Sequence, residues 1–536
     1  MRCHRLSVIA AVSTLWPGRR TESSQATTIG ATKQPTPVNQ SQMDGHSIGS
    51  DNKNVVAHHH KDFSIQQGPG ETHHVQPQRL LSCVVLCCVD PVFQRVTIGS
   101  LPDNVLLEIF DLYVYFCFSI WDWEILVHVC RRWRYVVFGS PIRLNLRLCC
   151  TKGTPVRKSL DVWPELPLAL LFYNSKGSFD NLLAALEHCD RVREIEVDNP
   201  ADFFWKKLVV AMEEPFPALR SLYFDSPYEE FLLPDTFLNG SAPCLQHLML
   251  SSISFPSLPR FLSSTSNLTS LHLGKIPNSG HIPPETMARC LSALPKLKSL
   301  FIHFMSLTPQ PNRVPPPSTR FVLPALTTLN FKGVSEYLEV LAARMDAPLL
   351  DHFVINFFHQ LVFDIPQIIR FFGHLKSFRS SSLALRFDSY YASILFSPSE
   401  PADHHTWYIP CEGLDQQVFS LAQICSQILL FRSSVNSLII KSWSRPDPDN
   451  MDPALWLRLF HSFPSVRSLT IPVNMEPFIA AALQGLTGES AAEVFPSLHS
   501  IFIIGNKNKS DKAAQQGMQS FIAARQHCSH PVALFR

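Results

Sequence analysis

Charge is scarce in this chain of 536 residues. Lys and Arg number 46 against 44 Asp and Glu, a formal net charge of +2, and charged residues make up 17% of the sequence, below the ~25% usual in soluble domains. No global field marks it as a binder of nucleic acid or another polyanion. Glycine is also sparse at 20 residues, about half the usual ~7%, which argues against folds that cradle phosphates on glycine-rich loops. No G-x-x-x-x-G-K-[ST], H-E-x-x-H or strand-flanked G-x-G-x-x-G occurs. One G-x-S-x-G match, Gly45-His46-Ser47-Ile48-Gly49, lies in a polar tract without the strand and helix that a nucleophile elbow needs, and reads as a chance match. The 14 cysteines include no C-x-x-C, so neither a zinc knuckle nor a redox pair is indicated, and a reducing compartment is the simple reading. His58-His59-His60, His73-His74 and His404-His405 lack the spacing of a metal site, and no metal or cofactor is expected. Long apolar runs are missing as well. Leu80 to Val89 stops at Asp90-Pro91, whereas a membrane span needs about 20 residues. Arg2 and Arg5 before Leu6 to Trp16 only weakly imitate a targeting peptide.

What is abundant is bulk without charge: 46% hydrophobic residues, 38 Phe and 42 Pro. From Pro17 to Arg79 only 12 of 63 residues are hydrophobic, too few to offset the entropy of ordering. Residues 1–96 are therefore expected to form a disordered or weakly structured extension.

Folded sequence is expected from Thr97. Ser100-Leu101-Pro102-Asp103 opens a helix, with Pro suited to its first turn and Asp complementing the macrodipole. Val105, Leu106, Ile109, Phe110 and Tyr113 then recur at helical spacing. A second helix is expected from Trp123, with Leu126, Val127, Cys130 and Trp133 on its apolar side and Arg131, Arg132 and Arg134 opposite. On this pattern Cys130 is a buried core thiol rather than a nucleophile.

These residues carry a resemblance. Leu101-Pro102-Asp103-Asn104-Val105-Leu106-Leu107-Glu108-Ile109-Phe110, followed 31 residues after Pro102 by the Trp of Val129-Cys130-Arg131-Arg132-Trp133-Arg134, looks like an F-box. The longer text from Trp121 through Gly139-Ser140-Pro141 to Leu160-Asp161-Val162-Trp163-Pro164 is similar to a large family of F-box proteins from mushroom-forming fungi. The likeness is close over about 98 to 170 and one of style beyond. The aromatic stretch Tyr113 to Ile120 departs from the polar connection usual in that family. The resemblance implies a three-helix module that docks on the Skp-type adaptor of a cullin-RING ubiquitin ligase. Leu101, Pro102, Leu106, Ile109, Val129, Cys130 and Trp133 would form or support the adaptor face. Residues 125 to 160 hold eight Lys or Arg and no acid. That run reads as a nucleic-acid patch, as a solvated basic face, or as the complement of an acidic adaptor, and no aromatic and basic interleaving of the single-strand type follows it.

After residue 170 the chain repeats itself. The unit reads apolar, two variable, apolar, one variable, apolar, at Val192-Ile195-Val197, Leu219-Leu222-Phe224, Leu245-Leu248-Leu250, Leu268-Leu271-Leu273, Leu297-Leu300-Ile302, Leu326-Leu329-Phe331, Leu350-Phe353-Ile355, Val435-Leu438-Ile440, Val466-Leu469-Ile471 and Leu498-Ile501-Ile503. The first seven are 27, 26, 23, 29, 29 and 24 residues apart, near the ~20 to 29 of leucine-rich repeats. Helix signals fall between them, as where Asp452-Pro453 opens a run to Trp456, Leu459 and Phe460. The spacing predicts an α/β fold, an irregular right-handed solenoid resembling leucine-rich repeats, with strand and helix in each unit. The boundaries read as F-box 97–148, connector 149–177, solenoid 178–510 with a hairpin-bearing insertion at 384–430, and a C-terminal tail or cap at 511–536.

The function these parts imply is that of a noncatalytic substrate receptor, cytoplasmic and/or nuclear, with a Skp-type adaptor and through it a cullin as partners, a client protein on the solenoid, and neither membrane nor nucleic acid. The alternative is an interaction scaffold uncoupled from ubiquitination. If the two closing anchors of each unit point inward, the residue between them points to the sheet's open side. Of these, Tyr223, Met249, His272 and Phe301 on successive strands are the candidate client-binding stripe, unless the fold or the insertion covers them.

Overall fold

The structure is a computed structural model, and it describes residues 98–116, 122–151, 153, 155–173, 179–200, 202–226, 231–306, 320–358, 360, 362–375, 380–396, 405–428, 435–442, 452–505 and 512–536. The N-terminal extension 1–96, with its His runs and its G-x-S-x-G match, lies outside them. The chain divides into two units, Met1–Leu144 and Asn145–Arg536.

Among the described residues of the first unit, three α-helices form its body: α1 (Asp103–Phe116), α2 (Asp122–Val129) and α3 (Arg131–Phe138). In α1, Leu106, Ile109 and Phe110 are buried at the i, i+3, i+4 spacing of one helix face, joined by Trp123, Leu126 and Val127 of α2 and Trp133, Val136 and Val137 of α3. The Phe110 and Trp133 rings meet at 4.7 Å. The expected helix through Cys130 is in fact broken there. Cys130 is extended at φ −158° and ψ 170°, and its Sγ accepts the Trp133 N–H at 3.5 Å as the cap of α3. The cap position turns its side chain away from the apolar side, so Cys130 is exposed, which corrects the buried-thiol expectation.

Among the described residues, the second unit is built on a sheet of sixteen strands. In chain order they are β1 (Leu148–Cys150), β2 (Leu168–Tyr173), β3 (Val192–Asp198), β4 (Ser221–Asp225), β5 (His247–Ser251), β6 (Ser270–Ile276), β7 (Ser299–Phe304), β8 (Thr328–Gly333), β9 (His352–Phe357), β10 (Ser382–Phe387), β11 (Tyr391–Leu395), β12 (His405–Pro410), β13 (Ser437–Ser442), β14 (Ser468–Pro472), β15 (Ser500–Ile504) and β16 (Ala533–Phe535). They lie side by side in chain order except that β12, β11 and β10 run in reverse between β9 and β13. Pairing is parallel throughout save for β11, which is antiparallel to both of its neighbours. The parallel sheet with helical crossovers is thus an α/β solenoid with the strand pattern of leucine-rich repeats. Strands at Leu148–Cys150 and Leu168–Tyr173 place the start of the sheet within the segment read as a connector, and the insertion's strands are members of the sheet rather than an excursion from it.

All thirty anchors of the ten repeats are buried. Each such side chain contributes ~1.5–3 kcal/mol of transfer free energy, so the repeat is the energetic unit of the fold. Proline serves the helices that link the strands: Pro259, Pro284, Pro366, Pro453 and Pro477 stand in first turns, where a missing N–H costs nothing. Asp452 caps Pro453–Phe460, its carboxylate accepting the Ala454 N–H at 2.9 Å. At the C-terminus, Lys512–His527 is a helix and β16 pairs with β15. The buried Arg525 donates to the carbonyls of Ala491 and Val494, each at 3.0 Å. No described helix is long and apolar enough to cross a membrane.

Candidate functional site

In the helical unit, the sequence-predicted adaptor residues separate into two groups. Leu106, Ile109 and Trp133 are buried and build the interior. Leu101 is half-buried, Pro102 is exposed, and Val129 and Cys130 are exposed. The two motifs are tied together by Arg132, whose guanidinium donates to Asp103 Oδ1 at 2.7 and 2.9 Å and to the Leu101 carbonyl at 2.5 Å. An exposed pair of this kind adds ~0–1 kcal/mol; its effect is to fix the Leu101-Pro102 loop beside the start of α3. Ile125, Tyr135 and Ile142 are further exposed apolar side chains of this unit.

In the solenoid, strand alternation sorts the residues onto two faces. Glu196, Tyr223, Met249, His272, Phe301, Asn330 and Val354 lie in register across β3 to β9. All are half-buried, between fully buried anchors, so this face is open to solvent in part. His272 and Phe301 stack at 4.9 Å with planes 12° apart. Two positions further along each strand lies a second row on the same face, which sequence reasoning missed: Asp198, Asp225, Ser251, Gly274, His303, Lys332 and Asn356. Its signal was present six residues after each first anchor, one step further in the same alternation.

The second row changes the chemistry of the face. Asp198 pairs in register with Asp225, and burial first, then the Asp225 charge, holds the Asp198 carboxyl above its ordinary range. Burial raises the Tyr223 phenol, with Asp225, Asp198 and Glu196 adding to it. Tyr173 on β2 is likewise raised, by burial, by its hydrogen bond to Glu196 and by the neighbouring charges. At β6 and β7 the sense reverses. Burial lowers His272, reinforced by His303 and opposed by Asp225. Burial also lowers His303, opposed by its hydrogen bond with Asn330, whose Oδ1 lies 2.7 Å from Nε2, and reinforced by Lys332. Gly274 keeps this part of the face clear, because a Cβ there would stand 3.2 Å from His272 Nε2.

Among the described residues, no three His, Cys, Asp or Glu side chains are grouped to hold a metal ion. His405 of the His404-His405 pair is buried, with Nε2 against the Asp351 carbonyl. Cys150 and Cys411 are buried thiols pushed up to about 12 and about 11 by burial, which leaves them protonated and unreactive at neutral pH.

No family model matches the chain, and no curated protein is similar to it. Among solved structures it is similar to the leucine-rich repeat-containing protein LegL7 of Legionella pneumophila, at 12% identity, over 58% of this chain and 93% of that one, with a TM-score of 0.21. A superposition that loose carries no weight, so the fold rests on strand register and burial, and the F-box resemblance rests on its own residues.

Proposed function

We propose that this chain is a noncatalytic substrate receptor of a cullin-RING ubiquitin ligase, working in the cytoplasm, the nucleus or both. The helical unit binds a Skp-type adaptor and the open face of the solenoid binds a client protein. The observation that carries the reading is the division of the chain into a small helical unit, whose interior is made by the motif residues Leu106, Ile109 and Trp133, and a large solenoid with one half-exposed face. Such a chain acts by proximity: tethering raises the client's effective concentration at the ligase without chemistry of its own. The adaptor face is the Leu101-Pro102 loop with Val129 and Cys130, supported from beneath by Leu106, Ile109 and Trp133. Neither a cofactor nor a metal is required.

The test is co-purification of the tagged full-length chain with a Skp-type adaptor and a cullin. Capture of both, abolished by Leu101→Asp with Pro102→Ala, supports the reading. Capture of the adaptor without a cullin favours a scaffold uncoupled from ubiquitination, and undiminished capture by the folded double variant contradicts the assigned surface.

A further inference from the structure

The open face is chemically polarised along the solenoid, and that polarity specifies what fits it. At its β2 to β4 end stand Glu196, Asp198 and Asp225 with Tyr173 and Tyr223. Among the described residues none of these three carboxylates forms an ion pair, whereas the neighbouring Glu194 is paired with Arg147. Asp198 and Asp225 face each other on adjacent strands, an arrangement that repels. One oxygen of Asp225 is buried without a hydrogen-bond partner, which leaves an acceptor unsatisfied. The two phenols add hydroxyls and ring faces, the partners that a guanidinium or ammonium group uses besides carboxylates.

Further along, the charge is gone. Met249 and the stacked pair His272 and Phe301 offer a half-buried apolar and aromatic surface, continued by His303. Beyond it, the Lys332 ammonium, in register with His303, disfavours a cation. The face therefore has one place for a positive side chain and, in register beside it, one place for an apolar side chain.

We propose that the Tyr173, Glu196, Asp198, Tyr223 and Asp225 end of the face takes an Arg or Lys side chain of an extended client segment crossing the strands, and that Met249, His272 and Phe301 take an aromatic residue of the same segment. The separation follows from the sheet. From the β3/β4 boundary to the β6/β7 boundary there are three strand spacings of ~4.8 Å, roughly 14 Å, which an extended chain covers in about four residues. The recognised element is a basic residue followed or preceded, about four positions away, by an aromatic one. This inference rests on the open face being the client surface and adds the chemistry of the client.

The test uses the full-length chain and a fluorescein-labelled synthetic peptide, Ser-Arg-Thr-Ser-Thr-Phe-Ser, in fluorescence anisotropy. Saturable binding is expected, weakened by added salt, and weakened at least tenfold by Glu in place of Arg or by moving Phe next to Arg. Asp198→Asn with Asp225→Asn is expected to weaken the Arg peptide at least tenfold while leaving the Glu peptide no weaker. Phe301→Ala is expected to reduce the difference between the Phe peptide and its Ala counterpart. Because the Asn variant removes a repulsion and nearly conserves shape, its melting is expected to stay cooperative. Should it unfold, Asp198→Asn alone and the salt titration of the unmodified chain decide the question. Equal binding of the Arg and Glu peptides, unchanged affinity in the Asn variant, or no saturable binding of the Arg peptide to the folded chain would overturn the proposal. Adaptor capture by the same preparation separates the two claims. Its persistence with failed peptide binding removes the client chemistry and leaves the receptor role, and its loss with retained peptide binding does the reverse.

Discussion

Truncating Trp133 to Ala should unfold the helical unit and leave the solenoid intact. The indole is 2% exposed and packs 4.7 Å from the Phe110 ring, so its loss removes one of the two tryptophans, with Trp123, in the interior of α1 to α3 and opens a cavity. Phe or Trp to Ala in a core costs ~3–5 kcal/mol. At ~0.05–0.15 kcal/mol per residue, a folded segment the length of residues 98 to 144 has only about 2–7 kcal/mol to lose. The substitution therefore consumes most of that unit's stability, whereas the solenoid anchors are untouched. Amide hydrogen exchange read by mass spectrometry resolves the two. Protection in 103–116 and 122–138 should fall to near that of an unfolded segment, while peptides covering β3 to β9 keep theirs. Val129→Asp, at an exposed site, provides the contrast, since it should keep protection in 103–116 and 122–138 and lose adaptor capture. Full protection in Trp133→Ala, or equal loss across the solenoid, would refute the reasoning.

Three further expectations follow from particular sites. Gly333→Ala places a Cβ 2.8 Å from both the Phe304 and Phe331 rings, and it should lower the urea midpoint by the equivalent of ~1–3 kcal/mol; an unchanged midpoint contradicts the packing. His272 and His303 are held below their ordinary values in the folded chain, so below about pH 6.5 the unfolded chain takes up protons that the fold resists. Stability is then full above about 6.5 and declines as pH falls, and His272→Gln with His303→Gln should flatten the dependence of melting temperature between about pH 7.5 and 5.5; an undiminished slope places the titration elsewhere. Deleting residues 1–95, whose polar tract cannot offset its ordering entropy, should leave the melting temperature nearly unchanged, and a clear drop would mean that the extension packs on the folded body.

Much of the solenoid was legible because its signal is repeated and energetic. A position that must be buried in every unit writes the same Leu, Ile, Val or Phe into the sequence each time, and all of them are buried. The same holds for the Asp452-Pro453 helix start, where local capping chemistry is sufficient. Legibility fails at the ends and at breaks. By register with β15, the last strand would carry its anchors at Pro531, Leu534 and Arg536, two of which are not apolar, because an edge strand has a neighbour on one side only. Leu148–Cys150 is buried throughout and so shows no alternation. The break at Cys130 has neither Pro nor Gly to announce it, because tertiary packing of α2 and α3 sets it rather than propensity. On the open face, the stripe Tyr223, Met249, His272 and Phe301 lies in register as alternation implies, but the second row, which brings Asp225 and Asp198 together, needed the strand register to be seen as one site.

The central claim is that two surfaces of this chain perform separable tasks. Affinity purification of the intact chain, compared with Leu101→Asp/Pro102→Ala and with Tyr223→Glu/Phe301→Glu, tests it most directly, with adaptor, cullin and co-purifying clients quantified by mass spectrometry. The first variant should lose adaptor and cullin while retaining the client. The second should retain adaptor and cullin at the level of the unmodified chain while losing the client. Adaptor and cullin absent from the unmodified chain, or both variants losing or keeping both sets of partners together while folded, would contradict the account.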